Sequence, residues 1–485
     1  MTLLDQLKNE GATRLYIAGE WRESSDGAQI GVLDPATELE LAEVSSGSVD
    51  DAIASIDAAE VAAEAFASTS PLERSEILRR AFELMVASAD ELAGLIVAEM
   101  GKSFGEARGE VLYAAEFFRW YSGEAVRNIG YVNKAPAGDK RIIAINQPIG
   151  ISLLITPWNF PAAMATRKIG PAVAAGCTMV LKPASDTPLT ALAIGQILTR
   201  AGLPNGVLNI LPSQRSSAVV TAMLKDERVR NLSFTGSTEV GRALLAQAAE
   251  RVVRCSMELG GNAPFLVFED ADIEAAVSGT MVAKMRNIGQ SCVAANRIYV
   301  HAAVVDDYTN QLSEAMSALT LGPGMRDGID LGPVINERAT DDLSGLVAES
   351  TGHGSQVRIG GRRPDREGFF FEPTVLSGVS HDNPILAKEI FGPVAPIVTF
   401  ESEEEALTLA NDTIYGLAAY LYTGDLGRGM RVAEGLDAGM VAVNRGIMSD
   451  PAAPFGGVKQ SGQGREGSHE GLMEFLETKY IAADW

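Results

Sequence analysis

A lone thiol and a lone carboxylate mark the two stretches of this chain best suited to chemistry. Cys292 ends Asn287-Ile288-Gly289-Gln290-Ser291-Cys292, among small, flexible residues. Glu258 lies upstream in Met257-Glu258-Leu259-Gly260-Gly261, at the end of an apolar run and before two glycines. A thiol and a nearby carboxylate suit acyl transfer through a thioester. The carboxylate activates the thiol and later the water that hydrolyses the acyl-enzyme. The chain has four histidines (His301, His353, His381, His469), none in a stretch that otherwise reads as an active site. A Cys–His dyad stays open as an alternative, because dyad partners meet in space and not in sequence.

Other polar residues stand where α/β sheets bind ligands. Asn159, in Trp158-Asn159-Phe160-Pro161, follows the expected strand 151–155. Its amide is placed to donate to an oxyanion, or else to cap the next helix. Lys182, in Lys182-Pro183-Ala184-Ser185, is either a point charge for a phosphate or ribose hydroxyl, or a surface lysine. Phe234-Thr235-Gly236-Ser237 reads as strand, turn and helix N-terminus, which favours phosphate; Ser237 also suits a plain N-cap. Arg167 and Arg286 would clamp a carboxylate if both face one cleft, and are ordinary surface arginines otherwise.

These residues need a frame. Residues 50–120 read as helical, with apolar positions at helical spacing in 51–66, 72–88 and 91–100. Residues 127–148 carry turn formers around a β-rich 141–145 and read as a projecting hairpin. From 150 the pattern alternates: strands at 151–155, 178–182, 207–211 and 231–234, helices at 163–175, 188–201, 216–224 and from 238. Strands that are apolar throughout, separated by helices, imply a parallel sheet covered on both faces. A second alternating series runs from 263 to about 445, and the tail reads as a short helix followed by a β-prone 479–482. The hairpin and the tail are candidates for an intersubunit sheet, with a surface hairpin as the plainer reading.

Composition narrows the function. Forty basic against 63 acidic residues give a formal net charge of -23. Nucleic acid demands a basic footprint, and anionic membranes attract one, so neither is an expected partner. An anionic substrate approaches against this field and requires its own arginines. The three cysteines (Cys177, Cys255, Cys292) are too few and scattered for a disulfide framework or a zinc site, and no metal is expected. They fit a reducing compartment. With no secretory signal and no membrane-length apolar run, the expected location is the cytoplasm. Two motifs mislead. Gly101-Lys102-Ser103 ends like a phosphate-binding P-loop, but Ile96 replaces the first glycine, so a helix C-cap and turn is expected. Gly462-Gln463-Gly464-Arg465-Glu466-Gly467 satisfies GxGxxG outside any strand–helix context and reads as a loop.

Seven ordered motifs resemble the aldehyde dehydrogenase superfamily over nearly the whole chain. They are Pro157-Trp158-Asn159-Phe160-Pro161, Lys182-Pro183-Ala184-Ser185, Phe234-Thr235-Gly236-Ser237, Met257-Glu258-Leu259-Gly260-Gly261, Gly289-Gln290-Ser291-Cys292, Glu389-Ile390-Phe391-Gly392-Pro393 and Pro454-Phe455-Gly456-Gly457. The narrower likeness, in residues 162–168, 261–265 and 286–287, is to succinate-semialdehyde dehydrogenases. The resemblance implies an α/β fold: a parallel-sheet cofactor domain (1–124 and 143–256), an α/β catalytic domain (257–460) and a β oligomerisation arm (125–142 and 461–485). It implies a homodimer or homotetramer.

The resemblance also assigns roles. Cys292 attacks the aldehyde, Asn159 and the Cys292 N–H hold the oxyanion, and Glu258 activates the hydrolytic water. Trp158, Lys182, Ser185, Gly236, Ser237, Leu259, Glu389 and Phe391 hold the cofactor. Arg167, Arg286 and Ser449 hold a substrate carboxylate. Ser185 stands where NAD-preferring members often carry glutamate, so NADP is the expected cofactor, with NAD accepted less well. Ala294 stands where certain relatives carry a second cysteine, so no disulfide with that neighbour is available to Cys292. The expected reaction is oxidation of succinate semialdehyde to succinate. The alternatives are a longer or uncharged aldehyde, such as glutarate semialdehyde, and a non-catalytic crystallin-like binding protein. Intact Cys292, Glu258 and Asn159 weigh against the last.

Overall fold

Two largely parallel sheets meet at the short link 259–262 in the computed structural model, which describes residues 2–484. The first sheet has the strand order Gly462–Gln463, Arg254–Glu258, Val229–Thr235, Ile151–Ile155, Met179–Lys182, Leu208–Ile210, Leu15–Ile17, Glu20–Arg22. The run from Arg254–Glu258 to Leu208–Ile210 is parallel, and the strands outside it are antiparallel. Ile151–Ile155 and Met179–Lys182 are buried at every position, as strands covered on both faces must be. The crossovers Pro161–Ala175, Pro188–Arg200, Ser216–Lys225 and Thr238–Ala249 are helices, in agreement with the alternation in sequence.

Helix ends follow local chemistry. Val49–Ala67 starts with a capping box between Ser48 and Asp51, and Pro71–Ala87 starts with Ser70 capping and Pro71 in the first turn. Ala89–Met100 stops at Gly101, which has φ 95 and serves as the C-cap expected from sequence. Phe104–Ala125 follows and packs on Pro161–Ala175, a helix whose every residue is buried.

The second sheet has the order Gln356–Ile359, Thr374–Ser377, Val394–Phe400, Ala295–His301, Ala263–Val267, Ala418–Tyr422, Met440–Val443. Only the outermost Gln356–Ile359 pairs antiparallel. A separate core around Phe265, Ile298, Val398 and Leu421 fills this half. Between Ile273–Thr280 and Ala295–His301 the chain departs from simple alternation. A π-helical turn, Met281–Met285, leads into Arg286–Gly289, where Asn287 (φ 56) and Ile288 (φ 61) are left-handed. Non-glycine residues there cost about 1–3 kcal/mol each, a strain that apolar spacing cannot foretell.

The hairpin Tyr131–Lys134 and Arg141–Pro148 stands apart as a three-stranded antiparallel sheet with the tail strand Leu476–Ala483. The tail strand is longer than the β-prone 479–482, because pairing with residues 141–148 recruits Leu476 to Thr478 as well, including Glu477, whose own β-propensity is low. Tyr131, Val132, Tyr480 and Ile481 leave apolar side chains exposed on this sheet.

Candidate active site

A cavity of about 910 Å³ opens at the carboxyl ends of the first sheet's parallel strands, where open α/β sheets bind ligands. Trp158 and Asn159 enter it from the turn after Ile151–Ile155. Lys182 enters from the last position of Met179–Lys182 and Ser185 from the turn after it, and Gly236 and Ser237 enter after Val229–Thr235. Leu259 follows Arg254–Glu258, and Cys292, Glu389 and Phe391 close the cavity from the second half. None of the four histidines lines it.

Cys292 reaches the cavity on the loop before Ala295–His301, with its thiol half-buried and pushed up to about 12, chiefly by burial and then by the charge of Glu389. Gly261 is required beside it, since a Cβ there would collide with the Cys292 carbonyl oxygen. Asn159 is buried, and its side-chain Nδ2 donates to the Gln290 carbonyl at 3.1 Å. That leaves the second amide hydrogen for a ligand oxygen. Asn287 Nδ2 donates to the carbonyls of both Asn159 and Gln290, each at 2.9 Å, so the Asn159 turn and the Cys292 loop are tied together.

The opposite end of the cavity suits a phosphorylated, ribose-bearing ligand. Lys182 is buried, and its ammonium donates only to the Pro183 carbonyl, at 3.1 Å, among the described residues. Burial holds this lysine down to about 8, against the opposing charge of Asp186. Two of its N–H groups are therefore free for a partner. The Ser185 hydroxyl donates to the Ser213 carbonyl at 2.9 Å. Ser237 caps Thr238–Ala249 by accepting from the Val240 N–H, so its N-cap reading holds; the helix N-terminus still opens on the cavity. Trp158 and Phe391 meet edge to face at 5.4 Å between ring centres. Glu389 accepts from the Gly261 N–H at 3.1 Å, and burial raises its carboxyl to about 7.

Glu258 lies outside this cavity's lining. It is buried next to Gly456, where a Cβ would sit 2.8 Å from Oε1, and neither carboxylate oxygen has a hydrogen-bond partner among the described residues. Burial raises its carboxyl well above the usual range, and the charge of Glu466 adds to this, against Arg167, Lys168 and Arg465.

The fold gives the two arginines of the expected carboxylate clamp different surroundings. Arg167 is buried, donates to Glu466 at 3.4 Å and to the Tyr113 hydroxyl at 2.8 Å, and lies 4.1 Å from the Phe455 ring centre. Arg286 is half-buried and makes no hydrogen bond or ion pair among the described residues; it lies over the rings of Phe160 at 4.9 Å and Tyr113 at 5.9 Å, and its charge acts on the Glu106 carboxylate. The two guanidiniums thus share the Tyr113 ring. Ser449 is half-buried in the loop before Phe455, with no side-chain hydrogen bond among the described residues.

Sequence reasoning passes over Glu466 and Lys168, a buried pair at 2.6 Å between Arg167 and Glu258. Glu466 sits inside the GxGxxG segment. Within that segment Gly462–Gln463 forms a short strand antiparallel to Met257–Glu258, so the loop reading is refined there. A charged residue among glycines gives little hint of burial.

Among the described residues no group of three or more His, Cys, Asp or Glu side chains could hold a metal ion, and no helix is long and apolar enough to cross a membrane. The model of the aldehyde dehydrogenase family matches residues 21–481. A succinate-semialdehyde dehydrogenase of Paenarthrobacter nicotinovorans is 52% identical over 91% of this chain and 98% of its own length. A glutarate-semialdehyde dehydrogenase of Pseudomonas putida is 46% identical over 96% of each chain. The crystal structure of an E. coli NADP-dependent enzyme superposes with a TM-score of 0.97 at 46% identity, covering 99% of both chains. A family match across nearly the full length, on a fold shared with that structure, means that the chain belongs to the aldehyde dehydrogenase family.

Proposed function

We propose that this protein oxidises succinate semialdehyde to succinate, with NADP preferred over NAD, through a thioester on Cys292. The observation that carries the reading is one cavity lined by a thiol, an amide donor and a buried ammonium with spare hydrogens. The Cys292 thiol gives up its proton to solvent water, and its sulfur adds to the aldehyde carbon. Asn159 and the Cys292 backbone N–H stabilise the alkoxide that forms. When bound, the dinucleotide supplies the hydride acceptor. Loss of hydride from the adduct leaves the thioester. Glu258 then takes a proton from water, which attacks the thioester and releases the acid and the thiol. Burial raises this carboxyl, which makes its carboxylate a stronger base than an exposed one.

The cofactor assignment rests on charge. Lys182 and Ser185 present an ammonium and a hydroxyl where a glutamate at 185 would repel a 2′-phosphate. The helix N-terminus at Ser237 suits the diphosphate, Glu389 a ribose, and Trp158, Leu259 and Phe391 the faces of the rings. The substrate carboxylate is assigned to Arg286, Arg167 and Ser449. Arg286 is the freest of these charges, while Arg167 is already engaged with Glu466.

We assign residues 1–124 and 143–256 to cofactor binding, 257–460 to catalysis, and 125–142 with 461–485 to an arm joining subunits into a homodimer or homotetramer. The exposed apolar side chains on the arm sheet support that last role. The cytoplasm is the proposed location. The test is reduced-cofactor absorbance across succinate semialdehyde, glutarate semialdehyde and butanal, each with NADP and NAD. A kcat/KM highest for succinate semialdehyde with NADP supports the reading. A higher value for glutarate semialdehyde moves the assignment to the longer substrate, and absence of turnover with any aldehyde returns the non-catalytic alternative.

A further inference from the structure

Lys102 has no part in the chemistry above, yet it is among the most deeply buried charges in the molecule. It follows Gly101, the residue that ends Ala89–Met100. Its ammonium pairs with Glu110 at 2.5 Å and also donates to the Asn159 carbonyl at 2.9 Å. It lies 4.2 Å from the centre of the Phe160 ring.

The carboxylate partner reaches the same turn from its other side. Glu110 accepts from the N–H groups of Ala162 (2.9 Å) and Ala163 (3.3 Å), at the start of Pro161–Ala175. That helix has no side-chain cap of its own at Phe160. A carboxylate donated from Phe104–Ala125 thus replaces the missing N-cap and meets the positive end of the helix. Both ends of the ion pair therefore grip residues 159–163. One neighbour extends this grip to the nucleophile loop. Glu106, one helical turn before Glu110, accepts from the Asn287 N–H at 2.6 Å, and the Asn287 side chain donates to the Asn159 and Gln290 carbonyls.

We propose that Lys102, through its ion pair with Glu110 and its bond to the Asn159 carbonyl, is a positioning residue that aims the Asn159 amide at the oxyanion. An amide that stabilises developing charge acts only if it is held in place before the reaction, since reorienting it during the step cancels part of the gain. The Asn159 carbonyl takes two hydrogen bonds, one from the helix side (Lys102) and one from the nucleophile loop (Asn287). Loss of the first frees the peptide to turn and the side-chain amide to swing away from Cys292. The inference rests on the oxyanion role proposed for Asn159.

The test follows the pre-steady-state burst of reduced cofactor on mixing protein, NADP and succinate semialdehyde. It sets the burst against alkylation of Cys292 by iodoacetamide and against NADP affinity. Alkylation forms no oxyanion, so it reads the thiol and its loop but not the amide. In Lys102→Met the burst rate should fall at least about tenfold, a fraction of the hundredfold or more seen on losing an oxyanion donor outright. Alkylation and NADP affinity should stay within about twofold of wild type. In the Asn159→Ala background the same substitution should add less than about twofold, because the group it positions is gone.

A burst unchanged in Lys102→Met, a full multiplicative loss on top of Asn159→Ala, or alkylation falling in step with the burst would each overturn the inference. If Lys102→Met does not fold, Lys102→Met/Glu110→Gln removes both buried charges and carries the same readings; a folded double variant with a wild-type burst overturns it equally. A wild-type burst in Asn159→Ala alone would sink the oxyanion role itself, and this inference with it.

Discussion

Truncating the two arginines should separate substrate recognition from stability, because the fold treats them so differently. Arg286 is half-buried and makes ring contacts but no ion pair among the described residues. Arg286→Ala loses cation–π contacts of about 0.5–1 kcal/mol each and one of the positive charges facing the Glu106 carboxylate, but Glu106 keeps Lys102 nearby and its bond from the Asn287 N–H, so the protein should stay folded. What disappears is the charge offered to the substrate. A charge-assisted bond contributes about 1.5–3 kcal/mol, so kcat/KM for succinate semialdehyde should fall about ten- to a hundredfold, mainly through KM. Butanal, with the same chain and no carboxylate, should change less than about threefold under the same bookkeeping. Arg167 is buried against Glu466, Tyr113 and Phe455. Breaking a buried pair typically costs about 3–5 kcal/mol, and Lys168 still holds Glu466 at 2.6 Å, so Arg167→Ala should lie near the low end. That loss should appear as a lowered Tm and as impaired turnover of both aldehydes, with succinate semialdehyde losing more than butanal if Arg167 also contacts the carboxylate. The assays are steady-state kinetics on the two aldehydes and thermal melts of both variants. Equal loss on both aldehydes in a stable Arg286→Ala protein would refute the division and withdraw the carboxylate contact from Arg286.

Ser185→Glu should reverse the cofactor preference by placing a carboxylate against the 2′-phosphate; a wild type that already favours NAD tenfold in kcat/KM would contradict the charge argument. Glu258→Gln should leave the burst of reduced cofactor and slow the steady phase, and it should also change stability with pH. The folded-state pKa of Glu258 is raised, so its stabilising contribution is complete below the unfolded carboxylate value and is lost as pH rises toward the folded one. The Tm advantage of the Gln variant should accordingly widen as pH rises above the ordinary carboxylate range, and a constant difference would argue against a buried, unpaired carboxylate. The free thiol should alkylate faster with rising pH and without a plateau up to about pH 9, since burial pushes Cys292 up to about 12; a plateau below about pH 8 would mean a thiolate already formed. Peroxide should inactivate by oxidising Cys292 directly, and a mass-spectrometric Cys292–Cys255 or Cys292–Cys177 bridge would contradict that.

Sequence carries the frame of this protein because buried parallel strands are continuous apolar runs. Residues 151–155 and 178–182 need no partner to be recognised, and their carboxyl ends deliver Asn159 and Lys182 to one cavity with Cys292. Interactions that depend on a distant partner stay hidden. Lys102 looks like the end of a failed P-loop until Glu110 and the Asn159 carbonyl surround it. Glu466 looks like a loop residue until Arg167 and Lys168 close on it from a helix far away in sequence. The strand Gly462–Gln463 has no β-propensity to detect; it exists because Met257 and Glu258 offer a free edge. The left-handed pair Asn287 and Ile288 is likewise hard to see in a residue string: asparagine tolerates that conformation but does not require it, and the β-branched Ile288 argues against it.

The central claim is a covalent acyl-enzyme on Cys292, and its most direct measurement is peptide mass spectrometry. Glu258→Gln protein, mixed with NADP and succinate semialdehyde and quenched in acid during the slow phase, should carry a succinyl thioester on the peptide containing Cys292. Cys292→Ala protein treated identically should carry none and produce no burst. An unmodified Cys292 peptide during sustained cofactor reduction, or a succinyl group on another residue, would contradict the account.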